Sequence, residues 1–544
     1  MNVTTKIFAA FALLLATPSG VLVAQETPPP PPVTTQDILA GLPSDGSSWL
    51  TFGGDYANQR HSPLTQITPE NVARLVPLWT FQTGTLGNFE TTSLLHDNVL
   101  YVTGPLNVAW AIDARTGRQI WRYRRELPSD LTACCGLVNR GFAILGDKLF
   151  MVTLDAHLLA LDARTGSIVW DVTLENYAVG YASTIAPLVV KDKVIVGVAG
   201  GEYGIRGFID AYNVESGERV WRFYTVPGPG EPGNETWAGD SWRTGGASVW
   251  VTGAYDPELN LLMYGIGNPG PDYFGEIREG DNLYSNSLVA LDADTGRLRW
   301  HYQFTPHDVH DWDATEVPIL TDLPIAGQTR RVVMFANRNG FYYTLDAATG
   351  RLIVAKPFVE TTWAKEIGTD GRPVLLPGNV PTEEGSVTCP DLTGGTNFWP
   401  PSFDPSTRTF FVNAREVCMT FFAWEPEYIP GDRFTGGAGQ RVPESESPAY
   451  GALRAIDPMT GERKWEFRYL SPSTAGLLTT ASGLIFSGDP DGNVLALDSR
   501  NGRLLWHYQM GAPLHGTSPT TYMVDGKQHV LVPAGTTLTA WALP

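Results

Sequence analysis

One eleven-residue pattern recurs seven times along the chain, and nothing else in the sequence restricts the fold as strongly. Ala111-Ile-Asp-Ala-Arg-Thr-Gly-Arg-Gln-Ile-Trp121 returns as Ala160 to Trp170, Ala211 to Trp221, Ala290 to Trp300, Thr344 to Val354, Ala455 to Trp465 and Ala496 to Trp506. Each copy reads as a strand ending typically in Asp, a tight turn whose Gly needs a positive φ, and a second strand closed by Trp. The repeating unit is a hairpin. Copies start 49, 51, 79, 54, 111 and 41 residues apart, and a four-stranded sheet needs roughly 40–50 residues. The longest gap is expected to hide a degenerate eighth copy near Phe403 to Phe410. Sheets of this kind arranged radially make a β-propeller, so the expected fold class is all-β, an eight-bladed β-propeller. Leu78 to Phe81 and Leu538 to Trp541 are expected to share one blade and close the ring. Insertions in the long gaps should form loops on one rim, and Val354 in place of Trp should alter the packing of its blade. Seventeen Trp, 57 Gly and 41 Pro suit many short strands joined by tight turns.

The N-terminus reads as an export signal. Lys6 precedes the apolar run Ile7 to Ala16, about half the roughly twenty residues that a bilayer span needs, and Leu22-Val-Ala24 offers a cleavage site. The expected organisation is a signal peptide at 1–24, a Pro-rich leader at 25–45 with Pro28 to Pro32 extended, and a single propeller domain at 46–544. No later segment is long and apolar enough for a transmembrane helix. A net charge of −19 argues against nucleic acid and anionic membranes as partners and favours cations. Four Cys in an exported chain suggest two disulfides. Cys134 and Cys135 are adjacent and either bridge each other or pair separately with Cys389 and Cys418; spacing alone does not choose.

Chemistry concentrates in Thr305 to Thr315, where Asp308, Asp311 and Asp313 stand beside His307 and His310. Unpaired carboxylates cost several kcal/mol or more when buried, so they need a cation, donors or solvent. In an extended segment Asp311 and Asp313 would share one face, which suits a hard metal ion with one carboxylate also acting as a base. A solvated acidic loop would carry the same residues. Glu202 emerges among glycines after the apolar run Val194 to Val198, and Arg338 follows Val332 to Phe335 at another strand end. Trp250, Asn268, Asn397 and Trp399 lie in Gly-rich runs; each Trp taken alone is more often packing.

Together these motifs resemble the pyrroloquinoline quinone (PQQ)-dependent alcohol dehydrogenases, the family of the methanol dehydrogenase large subunit. The features that carry the resemblance are Cys134-Cys135 followed by Asn-Arg-Gly, the Gly-Gly-Glu ending at Glu202, the Gly-Asn-Pro around Asn268, the Asp-rich stretch and the Trp-closed repeats. They run in order from about Trp49 to the end. The resemblance implies PQQ held between a Cys134–Cys135 disulfide plate and the Trp250 indole, with Arg140 and Arg338 on its carboxylates. Glu90, Thr184, Ser248 and Asn397 match polar contacts, Ala199, Gly200 and Gly201 match the backbone lining, and Cys389–Cys418 would be the second bridge. Glu202, Asn268 and Asp311 match metal ligands.

The same resemblance implies a mechanism. The metal acts as a Lewis acid on a quinone carbonyl, Asp311 takes the alcohol proton, and hydride transfer yields an aldehyde; Arg338 orients Asp311 and the quinone. Asp313 is an additional carboxylate of the kind found in lanthanide-dependent members, so one lanthanide ion is expected, with Ca2+ as the alternative. His310 stands where many relatives have Trp and is read first as a surface residue, with a donor to substrate or a modest pH modifier as the alternatives, while Asp272 replaces an aromatic, which leaves methanol specificity open. The substrate class is a small primary alcohol. No Cys-x-x-Cys-His occurs, so electrons are expected to leave through a soluble periplasmic c-type cytochrome, and a homodimer is compatible with the sequence. The competing readings are a calcium form acting on ethanol or larger alcohols and a non-catalytic periplasmic scaffold.

Overall fold

The repeated hairpin is built alike in its copies, with Asn213 in place of the turn Asp in one and Val354 in place of the closing Trp in another. Its Asp anchors the turn: Asp113 Oδ1 accepts from the backbone N–H of Arg115 at 2.9 Å and Thr116 at 3.0 Å, and Gly117 N–H donates to Asp113 O at 2.9 Å. The seven turn glycines all have φ between 69° and 73°. A register slip follows the opening residue of the copy, as between Ala111 and Ile112 or Ala290 and Leu291, and adds local twist.

The computed structural model describes residues 30–447 and 449–544; the expected signal peptide, with residues 25–29 of the leader, lies outside them. Eight four-stranded antiparallel sheets form the blades, two of them extended by a short fifth strand. A typical blade runs Leu188–Val190, Lys193–Gly197, Phe208–Asn213 and Arg219–Tyr224 in spatial order. The eighth blade is Thr520–Val524, Lys527–Ala534 and Thr537–Ala542 completed by Val76–Gln82, so strands from opposite ends of the chain close the ring. The expected extra copy near Phe403 is not a further unit. Ser402–Asp404 and Thr409–Glu416 are the first two strands of the blade whose repeat is Ala455 to Trp465. That hairpin lacks the Gly turn and the closing Trp, so it resembled a decayed copy only in its Asp and apolar spacing.

Each closing Trp docks on the next blade. Trp121 Nε1 donates to Ala163 O at 2.9 Å and Trp300 Nε1 to Ala347 O at 3.0 Å. In five of the six Trp-closed copies the indole also lies over the next turn glycine; a Cβ on Gly166 or Gly350 would sit 2.7 or 2.4 Å from it. An aromatic side chain buries roughly 150–250 Å², a gross gain of about 4–6 kcal/mol per ring. Where Val354 replaces Trp, Gly461 is covered instead by Val354 and the stem of Lys356.

The propeller body begins earlier than residue 46. Val33 pairs with Gly146, and Thr34 and Asp37 form a reciprocal capping box at the head of the helix Thr35–Ala40. That helix buries Ile38. Residues 33–45 therefore belong to the folded body and not to the leader.

The two long insertions pack together at one end of the ring. Tyr273 N–H donates to Thr435 O at 3.0 Å, the Tyr273 and Phe421 rings lie 6.1 Å apart, and Phe434 N–H reaches Glu202 O at 2.7 Å. Leu392, Thr393 and Asn397 of the second line the cavity described next, and Tyr273 of the first reaches Asp311 there. Among the described residues no helix is long and apolar enough to cross a membrane.

Candidate active site

A cavity of about 240 Å³ opens among the inner strand ends. The strands of different blades converge here because propeller closure brings their ends together, so residues distant in sequence become wall partners. Glu90, Cys134, Cys135, Arg140 and Thr184 line it on one stretch of chain; Ala199, Gly200, Glu202, Ser248 and Trp250 continue the wall; Asp311, Asp313, Arg338 and Asn397 complete it. Gly201 and Asn268 do not line it directly. Gly201 opens the 3-10 turn Gly201–Tyr203 that carries Glu202, and Asn268 N–H donates to Asp313 Oδ1 at 2.9 Å.

Both expected bridges are formed, Cys134–Cys135 and Cys389–Cys418. Cys135 Sγ lies 3.6 Å from Glu202 Oε1; the sulfur is oxidised and has no proton to donate, so this is a packing contact. Small residues make the wall possible. Gly200 has φ 114°, and a Cβ there would lie 2.1 Å from Gly180 O, while a Cβ on Gly267 would lie 2.4 Å from Asp313 Oδ1.

Two arginines dominate the electrostatics. Arg140 Nη2 lies 2.9 Å from Glu90 Oε2, its Nη1 donates to Thr184 Oγ1 at 2.6 Å, and its guanidinium carbon lies 4.7 Å from the Trp250 ring. Arg338 Nη2 lies 3.0 Å from Asp313 Oδ2, and its Nη1 donates to Asp311 O at 2.8 Å. Glu316 Oε1 accepts from Arg338 N–H at 3.1 Å and fixes the strand end. Trp250 Nε1 donates to Asp313 Oδ2 at 3.2 Å, and Asn397 is held by its Nδ2 bond to Thr393 O at 2.9 Å.

The acidic stretch is not extended. Asp311 has φ 60°, so the expectation that it shares a strand face with Asp313 fails; a kink held by Arg338 brings the two carboxylates to the same cavity. Asp308 points elsewhere and accepts from the backbone N–H of His310 and Trp312 at 3.1 and 2.8 Å. His310 is not a surface residue. Its ring stacks on Trp312 at 4.2 Å and its Nε2 lies 2.7 Å from Asn379 O, leaving 5% of it exposed.

Burial raises the pKa of Glu202, with the charge of Asp313 adding to it, and burial likewise raises Asp313 against the pull of Arg338. Asp311 is pushed well above the ordinary carboxylate range, first by burial and then by Asp272; Asp272 is raised likewise by burial and Glu202. In the protein alone, Asp311 is therefore held towards its neutral form, and a neighbouring cation would oppose that shift and favour the ionised carboxylate. Four crowded carboxylates against one guanidinium are the donor chemistry of a hard, highly charged cation.

Residues that the sequence did not single out also line the cavity, among them Phe398, Leu392 and His515. His515 comes from the C-terminal blades, beside Gly516, where a Cβ would lie 2.6 Å from Glu90. No local motif marks it, because only ring closure brings it there. Trp399 lines the cavity as well. Three buried N–H donors of cavity residues, Arg140 Nε, Arg338 Nε and Trp399 Nε1, have no partner among the described residues. Such donors fit an anionic ligand, so the wall suits a flat polycarboxylate such as PQQ beside a metal ion.

Orphaned donors beside a crowded carboxylate cluster at the heart of a propeller are the setting in which an anionic cofactor and a metal ion would be held together. Residues 49–366 and 445–530 match the family model described as "PQQ: Glucose/ethanol/alcohol dehydrogenase, beta-propeller domain". The chain belongs to the PQQ-dependent alcohol dehydrogenases. It is 37% identical over 529 residues to the quinoprotein alcohol dehydrogenase PedH of Pseudomonas putida, covering 92% of this chain and 88% of the relative. It is also 37% identical over 532 residues to the lanthanide-dependent methanol dehydrogenase of Methylacidiphilum fumariolicum, covering 92% and 86%. Among solved structures, a europium-containing methanol dehydrogenase superposes with a TM-score of 0.88 at 34% identity, covering 93% of this chain and all of that one.

Proposed function

We propose that the cavity oxidises a small primary alcohol to an aldehyde with Asp311 as the base. The observation that carries this is the placement of Asp311: its carboxylate lines the cavity 3.7 Å from Arg338 Nη1, beside Asp313 and Glu202. Bound there, PQQ supplies a two-electron acceptor and a metal ion supplies Lewis acidity at its carbonyl.

The chain's own residues do the rest. Arg140 and Arg338 take the cofactor carboxylates through their unpartnered Nε–H groups, and Glu90, Thr184, Ser248 and Asn397 fix its edge. The Cys134–Cys135 plate and the Trp250 ring hold the two faces, with Ala199, Gly200 and Gly201 letting the backbone approach. Glu202, Asn268, Asp311 and Asp313 hold the cation. Asp311 accepts the hydroxyl proton, and Arg338 keeps it aligned by holding its carbonyl oxygen. Asp313 brings the directly ligating carboxylates to three, which favours a lanthanide over Ca2+. The two insertions help to exclude water from the reacting centre.

Residues 1–24 direct export to the periplasm, where the propeller formed by the following residues works as a single domain. All four cysteines are taken up in disulfides, and a separate c-type cytochrome takes the electrons.

The deciding experiment is dye-linked alcohol oxidation by metal-free protein reconstituted with PQQ and either lanthanum or calcium. Activity with lanthanum that Asp313→Ala abolishes supports the reading. Activity with calcium alone refutes the lanthanide assignment, and loss of both activity and PQQ retention refutes the catalytic one in favour of a scaffold.

A further inference from the structure

The Asn268 carboxamide is held in one orientation by a residue that the proposed cation centre does not otherwise use. Asn268 Nδ2 donates to Asp272 Oδ1 at 3.0 Å while its backbone N–H donates to Asp313 Oδ1 at 2.9 Å. Asn268 is 5% exposed and Asp272 1%. With the amide NH2 committed to Asp272, the carboxamide oxygen is the end left to face a cation.

The loop that carries this pair is pinned by Arg278, which is fully buried. Its Nε and Nη2 donate to Pro271 O at 3.1 and 2.9 Å, and Nη2 also donates to Asp308 O at 2.6 Å. One side chain thus ties the Asn268–Asp272 loop to the acidic stretch. Its bonds go to backbone carbonyls and to Asn282 Oδ1. Among the described residues no guanidinium or ammonium pairs with Asp272, and an uncompensated buried carboxylate is costly. Asp272 is thus a buried carboxyl group whose one hydrogen-bonded side-chain partner is itself an expected cation ligand.

We propose that Asp272 is a positioning residue of the cation centre: it orients the Asn268 oxygen and adds a fourth carboxylate that biases the site toward trivalent ions. Outer partners of metal ligands govern affinity by about 10–100-fold, and each added negative charge stabilises a +3 ion more than a +2 ion. The inference rests on the cation reading given above.

The test is direct-excitation luminescence of Eu3+ titrated into the full chain loaded with PQQ and stripped of metal by a chelator, with Ca2+ affinity read by competition. Asp272→Asn keeps an acceptor for Asn268 and removes the charge. On charge alone it should weaken Eu3+ binding about tenfold and Ca2+ binding only about fivefold, in the ratio of the ion charges. Asp272→Leu removes both and should weaken the two ions further, by about 10–100-fold, with Eu3+ again losing more. An unchanged Eu3+-to-Ca2+ ratio in Asp272→Asn overturns the proposal. Should Asp272→Leu fail to fold, the isosteric Asn variant still decides. Eu3+ that does not bind the wild type, or binds Glu202→Gln undiminished, overturns the cation centre itself, an outcome read without any Asp272 variant.

Discussion

Replacing Gly296 by Ala should destabilise the propeller by about 2–5 kcal/mol, and the structure separates two contributions to that loss. Gly296 has φ 69°, a left-handed conformation that costs an L-residue about 1–2 kcal/mol. Its added Cβ would lie 2.5 Å from Trp221 Cε3 and 2.6 Å from Cδ2. Trp221 cannot retreat freely, because its Nε1 donates to Ala293 O at 3.3 Å and the ring is buried. Overpacking of this kind costs about 1–3 kcal/mol more. Gly327 supplies the control: φ is 77° and nothing lies within 4 Å of a Cβ built on it. Gly327→Ala should lose only the backbone part, and any entropy gained in the unfolded chain cancels between the variants. With an unfolding entropy near 2.1 cal/mol/K per residue over roughly 500 residues, 1 kcal/mol shifts Tm by about 1 °C. Calorimetry at one scan rate should therefore place Gly296→Ala about 1–3 °C below Gly327→Ala. Equal losses in the two variants would refute the idea that indole-on-glycine docking carries blade-to-blade stability.

Three further outcomes follow from the site. Glu202, Asp272, Asp311 and Asp313 all have raised pKa values, so metal-free native protein binds more protons than unfolded chain above the ordinary carboxylate range. Its stability should fall as pH rises from about 4, and saturating La3+ should flatten that slope in a Tm-against-pH series. Arg338→Lys keeps a charge but cannot both hold Asp311 O and reach Asp313; losing one charge-assisted bond of about 1.5–3 kcal/mol should cut kcat about 10–100-fold in steady-state assays. Gly267→Ala would drive a methyl group against Asp313 Oδ1, and it should release the metal while PQQ absorbance is retained, as equilibrium dialysis followed by spectroscopy would reveal.

Much of the molecule was legible because its determinants are local. The Asp–Gly–Trp hairpin announces itself through spacing, and seven copies specified the architecture before any tertiary contact was considered. The eighth blade was harder, since its strands lie at opposite ends of the sequence and one carries no turn motif. Decoding failed where long-range packing overrides local pattern. Asp311 sits in a stretch that reads as extended, yet Arg338, 27 positions later, bends it. His310 looks like a polar surface residue, but Trp312 and Asn379 offer it an aromatic face and a carbonyl. His515, Phe398 and Tyr273 carry no signature; Tyr273, whose Oη lies 3.5 Å from Asp311 Oδ2, arrives there only because the two insertions meet.

The pairing of Val76–Gln82 with Thr537–Ala542 has a consequence for biosynthesis. Blades can form one by one as the polypeptide lengthens, but the wall containing Glu90 and His515 has no continuity until the final strand exists. A nascent or partly translocated polypeptide therefore presents no finished pocket. The closing blade thus makes the two ends of the folded body interdependent: Val76–Gln82 has no sheet neighbour until Thr537–Ala542 is made.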